Sequence, residues 1–264
     1  MEKPPDVTVL LRVHRDYWQF VPRAWNSLLA QTLPPDRFEV FVVNDGPWED
    51  VDRDVVESLS DRPVNVAWTA ERSGYYTQPC NLVLPYCRGA WIAFLDADNE
   101  FAPEHLSLLL EACRRLPMRP HFAYSRRRYV KDPGAPDDVP EGESPLVRWG
   151  ADTLARLMMG PKHNFLDSGD LMIGRGALYR LADLTGYPFD PSRRRFGDWE
   201  LALRMAQHRF IGAAVDAATN IYHWHGGNLQ LTRKPEYVAL PGGIIHRADE
   251  PPPTSAVELP DPEP

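Results

Sequence analysis

The chain has 264 residues, of which 43% are apolar and 25% charged, and 29 basic against 37 acidic residues give a net charge of −8. This composition fits one or two globular domains, excludes a wholly disordered chain, and holds no apolar run near the ~20 residues a membrane span requires. The negative balance disfavours binding a nucleic-acid polymer through its backbone but leaves room for a single nucleotide in a pocket.

Val7–Val13 is a continuous apolar run with β-branched residues, as in a strand buried on both faces. A helix is expected around Pro22, where Val21, Trp25, Leu28 and Leu29 repeat at helical spacing and stop before Pro34-Pro35. Residues 38–43 read as a second buried strand closed by Asn44-Asp45-Gly46-Pro47, then 51–59 as a short helix and 64–69 as a third strand. A helix from Pro79 to Gly89, interrupted by Pro85, leads to a fourth strand at 91–95. Asp96-Ala97-Asp98-Asn99 ends that strand, and Pro103 begins a helix with Leu106, Leu109, Leu110 and Cys113 on one face. This alternation predicts an α/β fold: a mostly parallel sheet with helices on both faces.

Beyond residue 120 the regularity weakens. Arg126-Arg127-Arg128 and residues 131–144 read as exposed loop, and residues 171–173 as another strand. Asp198 opens a helix with Trp199, Ala202, Leu203 and Ala206 on one side. Residues 249–264 are acidic and Pro-rich and are expected to be disordered or draped over the surface. The opening Met1-Glu2-Lys3-Pro4-Pro5-Asp6 lacks the features of a secretory signal, so a cytoplasmic location is expected. The three cysteines show no C-x-x-C spacing; Cys80 and Cys87 fall with Val83 and Leu84 on a helical stripe and read as core thiols.

Asp96 and Asp98 are carboxylates two residues apart directly after a buried strand, and in open α/β sheets the ligand crevice lies outside the carboxyl ends of strands. A hard cation such as Mg2+ or Mn2+ takes carboxylate oxygens plus substrate phosphates, so one aspartate can hold the metal while the other fixes a hydroxyl. Taken alone, the pair reads more readily as a turn in which Asp98 or Asn99 caps the next helix, and only the surrounding motifs favour a site. Asp45 can accept a hydrogen bond from a base or ribose, or simply serve its turn, and Arg12 and His14 end the first strand on the same edge. Asp198, at a helix start, is favoured as the anion by the helix dipole and reads either as a cap or as a proton acceptor. His223 and His225 alternate on a late strand, so both could face one site, with Gly226-Gly227 permitting a mobile loop; two structural histidines are the alternative. Turn bonding accounts equally well for Asp167 and Asp170, and core packing for Tyr75, Tyr76 and Trp149, which could otherwise stack on a sugar.

Four segments in order carry a family likeness. Val7-Thr8-Val9-Leu10-Leu11-Arg12-Val13-His14, with Ser27-Leu28-Leu29-Ala30-Gln31-Thr32 downstream, is followed by Glu39-Val40-Phe41-Val42-Val43-Asn44-Asp45-Gly46. Then come Gly89-Ala90-Trp91-Ile92-Ala93-Phe94-Leu95-Asp96-Ala97-Asp98 and Gly197-Asp198-Trp199-Glu200-Leu201-Ala202-Leu203-Arg204. Together they resemble a family 2 glycosyltransferase with the Rossmann-like GT-A fold. The resemblance implies a donor-binding half at 1–115, an acceptor-binding and catalytic half of the same domain at 116–248, and the tail at 249–264. It places Arg12, His14 and Asp45 in the nucleoside pocket with Arg72 beside it, and gives Asp96 and Ala97 to ribose and diphosphate. Asp98 and His225 would hold Mn2+ or Mg2+, Asp198 would be the general base, and Asp167, Asp170 and Trp199 would border the acceptor. Asn44, Pro47 and Gly197 depart from the family's usual acid, Ser and Glu. The implied function is metal-dependent transfer of a sugar from a nucleoside-diphosphate sugar, UDP-sugar favoured, to an acceptor hydroxyl with inversion. A nucleotidyltransferase of similar fold normally has an early Gly-rich basic loop, which residues 12–18 lack. An inactive nucleotide- or sugar-binding protein is disfavoured by Asp45, Asp96, Asp98 and Asp198 occurring together.

Overall fold

The computed structural model describes residues 3–59, 64–115, 119–193, 196–228, 237–239 and 245–247. The expected tail at 249–264 lies outside them. The first half runs β1 (Val7–Val13), α1 (Val21–Leu29), β2 (Phe38–Asn44), α2 (Arg53–Ser58), β3 (Asn65–Trp68), α3 (Thr77–Val83) and β4 (Trp91–Asp96). The second runs β5 (Glu100–Phe101), α4 (His105–Arg114), β6 (Phe122–Lys131), β7 (Gly142–Glu143), α5 (Thr153–Met158), β8 (Leu171–Gly174), α6 (Arg175–Thr185), α7 (Gly197–Gln207) and β9 (Gly212–Trp224). A separate antiparallel pair joins β10 (Tyr237–Ala239) to β11 (Ile245–Arg247).

One sheet, in the order β3-β2-β1-β4-β8-β6-β9-β5 with β7 on the flank of β6, spans both halves. Its β3-β2-β1-β4 block is wholly parallel, which fits strands with no polar alternation: every residue of β1 is buried. The second half is mixed, since β8 runs antiparallel to β4 and β6 while β6 and β9 are parallel. Alternate residues of β1 feed two cores. Val9, Leu11 and Val13 meet Trp25 and Leu28 of α1 and Leu106, Leu109 and Leu110 of α4 on one face. Leu10 belongs to the other core, together with Cys80 and Val83 of α3, Leu178 and Leu181 of α6, and Trp199 and Leu203 of α7.

Two expectations are corrected. The third helix begins at Thr77 and stops at Val83, passing into a 3-10 turn over Leu84–Tyr86, because Pro85 has no N–H to continue the α ladder. The triplet Arg126-Arg127-Arg128 is strand, not loop: it lies in β6 and pairs with β9. Alternation gives Arg126 and Arg128 to one face, where both reach Glu143, and sends Arg127 to the other. A bulge in the β6–β9 register between Tyr124 and Arg127 re-aims that part of the strand. All three cysteines are buried and free. No helix among the described residues is long and apolar enough to cross a membrane.

Candidate active site

A cleft of about 520 Å³ opens at the carboxyl ends of β1, β2 and β4 and is also lined by the turn at 161–167 and the start of α7. Its wall includes Arg12, His14, Asp45, Asp96, Ala97, Asp98, Asp167, Asp198 and Trp199. Arg72, Asp170 and His225 do not line it.

Arg12 ends β1 with its guanidinium 2.6 Å from Asp96 and its planar face 4.1 Å from the Tyr76 ring centroid. Burial alone would lower its pKa, and the Asp96 carboxylate raises it instead. Asp96 keeps 35% of its side chain open to the cleft, yet protein surrounds the rest. Burial, with Asp98 and Asp167, outweighs Arg12 and pushes its pKa up to about 6. Asp98 follows on a tight turn closed by Asn99 N–H to Asp96 O (3.0 Å), and its carboxylate meets His225 Nε2 at 3.2 Å. Neither Asp98 nor Asn99 caps a helix, because the turn runs into β5 and α4 starts only at His105.

The two late histidines separate. His223 is held between Asp132 (2.8 Å) and Glu100 (2.7 Å), so both ring nitrogens are committed to structure. His225 lies just past β9 behind Asp98, packed on Phe20 with ring centroids 4.7 Å apart. The Gly-Gly turn after it is tied down: Asn228 bonds His225 N–H and His223 O, and Tyr17 Oη donates to Gly227 O at 2.7 Å.

His14 lines the cleft with Nδ1 buried and unpartnered. Asp45 accepts from Ser73 N–H (2.8 Å), Ser73 Oγ (2.7 Å) and Gly74 N–H (2.7 Å), so it organises the loop at 73–74 as well as facing the cleft. Arg72 is exposed and bonded to Asp50. Asn44, completely buried, donates to Gly46 O at 3.0 Å; a carboxylate there would face a carbonyl oxygen, which accounts for the departure from an acid.

Asp198 is the second residue of α7, and the residue at the N-cap position is Phe196, held in the left-handed region at φ 55°. Asp198 therefore does not cap the helix. Its carboxylate receives Asn164 Nδ2–H at 3.1 Å. Burial and the neighbouring Asp167 carboxylate push its pKa up to about 7, against the pull of the Trp199 amide and Arg127. The helix dipole, which would favour the anion by ~0.3–1 kcal/mol, is outweighed. Gly197 sits so close to Tyr75 that a Cβ would lie 2.7 Å from Tyr75 Cε1 and 3.1 Å from Tyr76 Oη, while its N–H donates to Tyr75 Oη at 3.2 Å. A larger residue at 197 would force these tyrosines to shift. Trp199 is buried, its indole N–H given to Leu157 O at 2.8 Å.

Asp170 is 2% exposed and committed to Arg127, to Asp167 N–H (2.9 Å) and to Asn220 Nδ2 (2.8 Å). Arg127 in turn lies 3.5 Å from Asp167 and reaches the cleft wall. Sequence reasoning missed Arg127, Asn164, Lys162 and Tyr222 as cleft residues. The only available signal was the alternation around the arginine triplet, and turn positions such as Asn164 had none.

The parallel block, the mixed second half and a cleft at the strand ends define a GT-A type of mixed α/β fold. A family model, glycosyl transferase family 2, matches residues 8–143, and the chain belongs to that family. No curated protein sequence matches it. Among solved structures, it is similar to S. aureus TarS 1-349 in complex with UDP-GlcNAc (17% identity, TM-score 0.63, covering 87% of this chain and 61% of that one). It is also similar to the mannosyltransferase PcManGT from Pyrobaculum calidifontis in complex with GDP-Man and Mn2+ (17% identity, TM-score 0.54, covering 83% and 57%). It spans 36% of the longer TarS chain at TM-score 0.58 and 18% identity, covering 83% of its own length. This chain thus spans less than two thirds of the length of each of these relatives.

Proposed function

We propose that the chain transfers a sugar from a nucleoside-diphosphate sugar to an acceptor hydroxyl, with Asp198 as the general base. The observation that carries this is one cleft lined by both the Asp96-Ala97-Asp98 turn and Asp198. The family membership and the nucleotide sugars named for the two similar structures support it. Asp198 is suited to the task, since a base with a pKa near the working pH combines an available anion with useful proton affinity.

The residues present fit a divalent cation that takes most of its ligands from the donor. Asp98 Oδ2 and His225 Nε2, 3.2 Å apart, are the side-chain atoms that would hold it. No cluster of three or more such side chains occurs among the described residues, so the diphosphate and water would complete the shell. When bound, Mn2+ or Mg2+ there neutralises charge on the leaving diphosphate.

The chain's own residues do the rest. Asp45 and the 73–74 loop shape the nucleoside end, and Arg12 holds Asp96 in place for the ribose and diphosphate. Asp198 removes the acceptor hydroxyl proton; the oxygen's electron pair forms the new bond to the anomeric carbon. The old carbon–oxygen bond breaks with its pair leaving on the diphosphate. A single displacement of this kind, with attack opposite the leaving group, inverts the anomeric centre. Asp167 and Trp199 border the acceptor side of the cleft, with Asp170 acting behind them through Arg127.

A thermal-shift screen of UDP, GDP, UDP-GlcNAc and GDP-mannose, with and without Mn2+, tests donor binding, since a ligand at 100 times its Kd stabilises by ~2.7 kcal/mol. A metal-dependent rise with one nucleotide sugar is expected. No shift with any donor at millimolar concentration would defeat the proposal.

A further inference from the structure

We propose that Asn164 is a positioning residue that holds the Asp198 carboxylate in one orientation as an anion. This rests on the reading of Asp198 as the base. Asn164 follows the short turn Pro161–His163, and its side-chain amide is clamped by the backbone of Leu166. Oδ1 accepts Leu166 N–H at 3.2 Å, while Nδ2 donates to Leu166 O and, at 3.1 Å, to Asp198 Oδ2. Both amide hydrogens are used. Flipping the amide would set Oδ1 against the Leu166 carbonyl and the Asp198 carboxylate and leave Nδ2 facing an N–H, so only one orientation satisfies the network. Leu166 is itself 2% exposed and packed in the core, which makes the clamp rigid.

The chemistry of the contact has a direction. Nδ2 is a donor only, so it bonds more strongly to the ionised carboxylate than to the remaining acceptor oxygen of a protonated one. It therefore acts against burial and Asp167, the two influences that favour the protonated form. It also occupies one lone-pair position of Oδ2, fixing the carboxylate plane and restricting the directions from which a proton can be taken. An acceptor hydroxyl entering the cleft then meets a carboxylate whose rotamer is already set, which saves orientation entropy in the transition state.

The test compares Asn164→Ala, Asn164→Asp and Asp198→Asn in the full chain. With UDP-GlcNAc and GDP-mannose as probe donors, Asn164→Ala should lower kcat by ~10-fold with donor KM within about twofold. The acid limb of its pH profile should move to higher pH. Asn164→Asp, nearly identical in size, sets a second carboxyl against the first and should move that limb further. A second readout needs no turnover: the gain in unfolding midpoint that Asp198→Asn produces at pH 8 should be larger in the Asn164→Ala background than in the wild type. Equal gains in both backgrounds, with Asp198→Asn inactive, overturn the role of Asn164 alone. Wild-type turnover by Asp198→Asn overturns the base assignment and this inference with it.

Discussion

Asp198→Asn is expected to stabilise the protein at neutral pH while removing its turnover. The folded-state pKa of Asp198 stands at about 7, against an ordinary value of 3.8. A carboxyl whose pKa is raised by folding contributes stability that is fully present below the unfolded value and is lost as pH rises through the folded value. The wild type should therefore lose stability from this group between about pH 4 and pH 7, and the asparagine variant should not. For a sealed site a rise of that size would amount to roughly 4 kcal/mol. Asp198 has access to the cleft, and the amide gives up one of the carboxylate's two acceptor oxygens, so ~1–2 kcal/mol is the realistic gain. In a domain of this size that is a rise of ~3–6 °C in Tm. Melting curves of both proteins from pH 4 to pH 8, with turnover measured on the same preparations, check it. Turnover should fall by ~10²–10⁴. A Tm difference that stays flat with pH, or grows toward acid, would refute the argument from burial and Asp167.

Asp98→Asn should abolish the Mn2+-dependent part of donor binding while leaving Tm without ligand nearly unchanged, because a neutral amide replaces the one anionic ligand; calorimetric titration with and without metal reads this directly. Gly197→Ala should destabilise by ~1–3 kcal/mol through contact with Tyr75 and Tyr76 and reduce turnover by shifting the first turn of α7, and a Gly197→Ala protein as stable as wild type would show that the tyrosines yield. Asp170→Ala leaves Arg127 without its closest buried partner and should cost ~3–5 kcal/mol in denaturant unfolding.

Much of this fold was legible along the chain because its first half obeys one rule. Strands buried on both faces must be apolar throughout, helices between them must show one apolar face, and Pro and Gly must mark the joins. These local demands placed β1, β2, β4, α1 and α4, and with them the chain positions of Arg12, Asp45, Asp96 and Asp98, while the apolar face of α7 placed Asp198 at a helix start. Only the tertiary structure decided what those groups do to one another. β9 is rich in alanine and reads weakly as a strand, yet it pairs with β6 and thereby turns a run of arginines into a wall that places Arg127 against Asp170. The elevated proton affinity of Asp198 could not be read from a carboxylate near a helix start, because it arises from burial and from Asp167, a residue 31 positions away in sequence. Asn164 carried no pattern at all: its importance comes from a loop folded back onto α7, and a single side-chain amide has no periodicity to betray it.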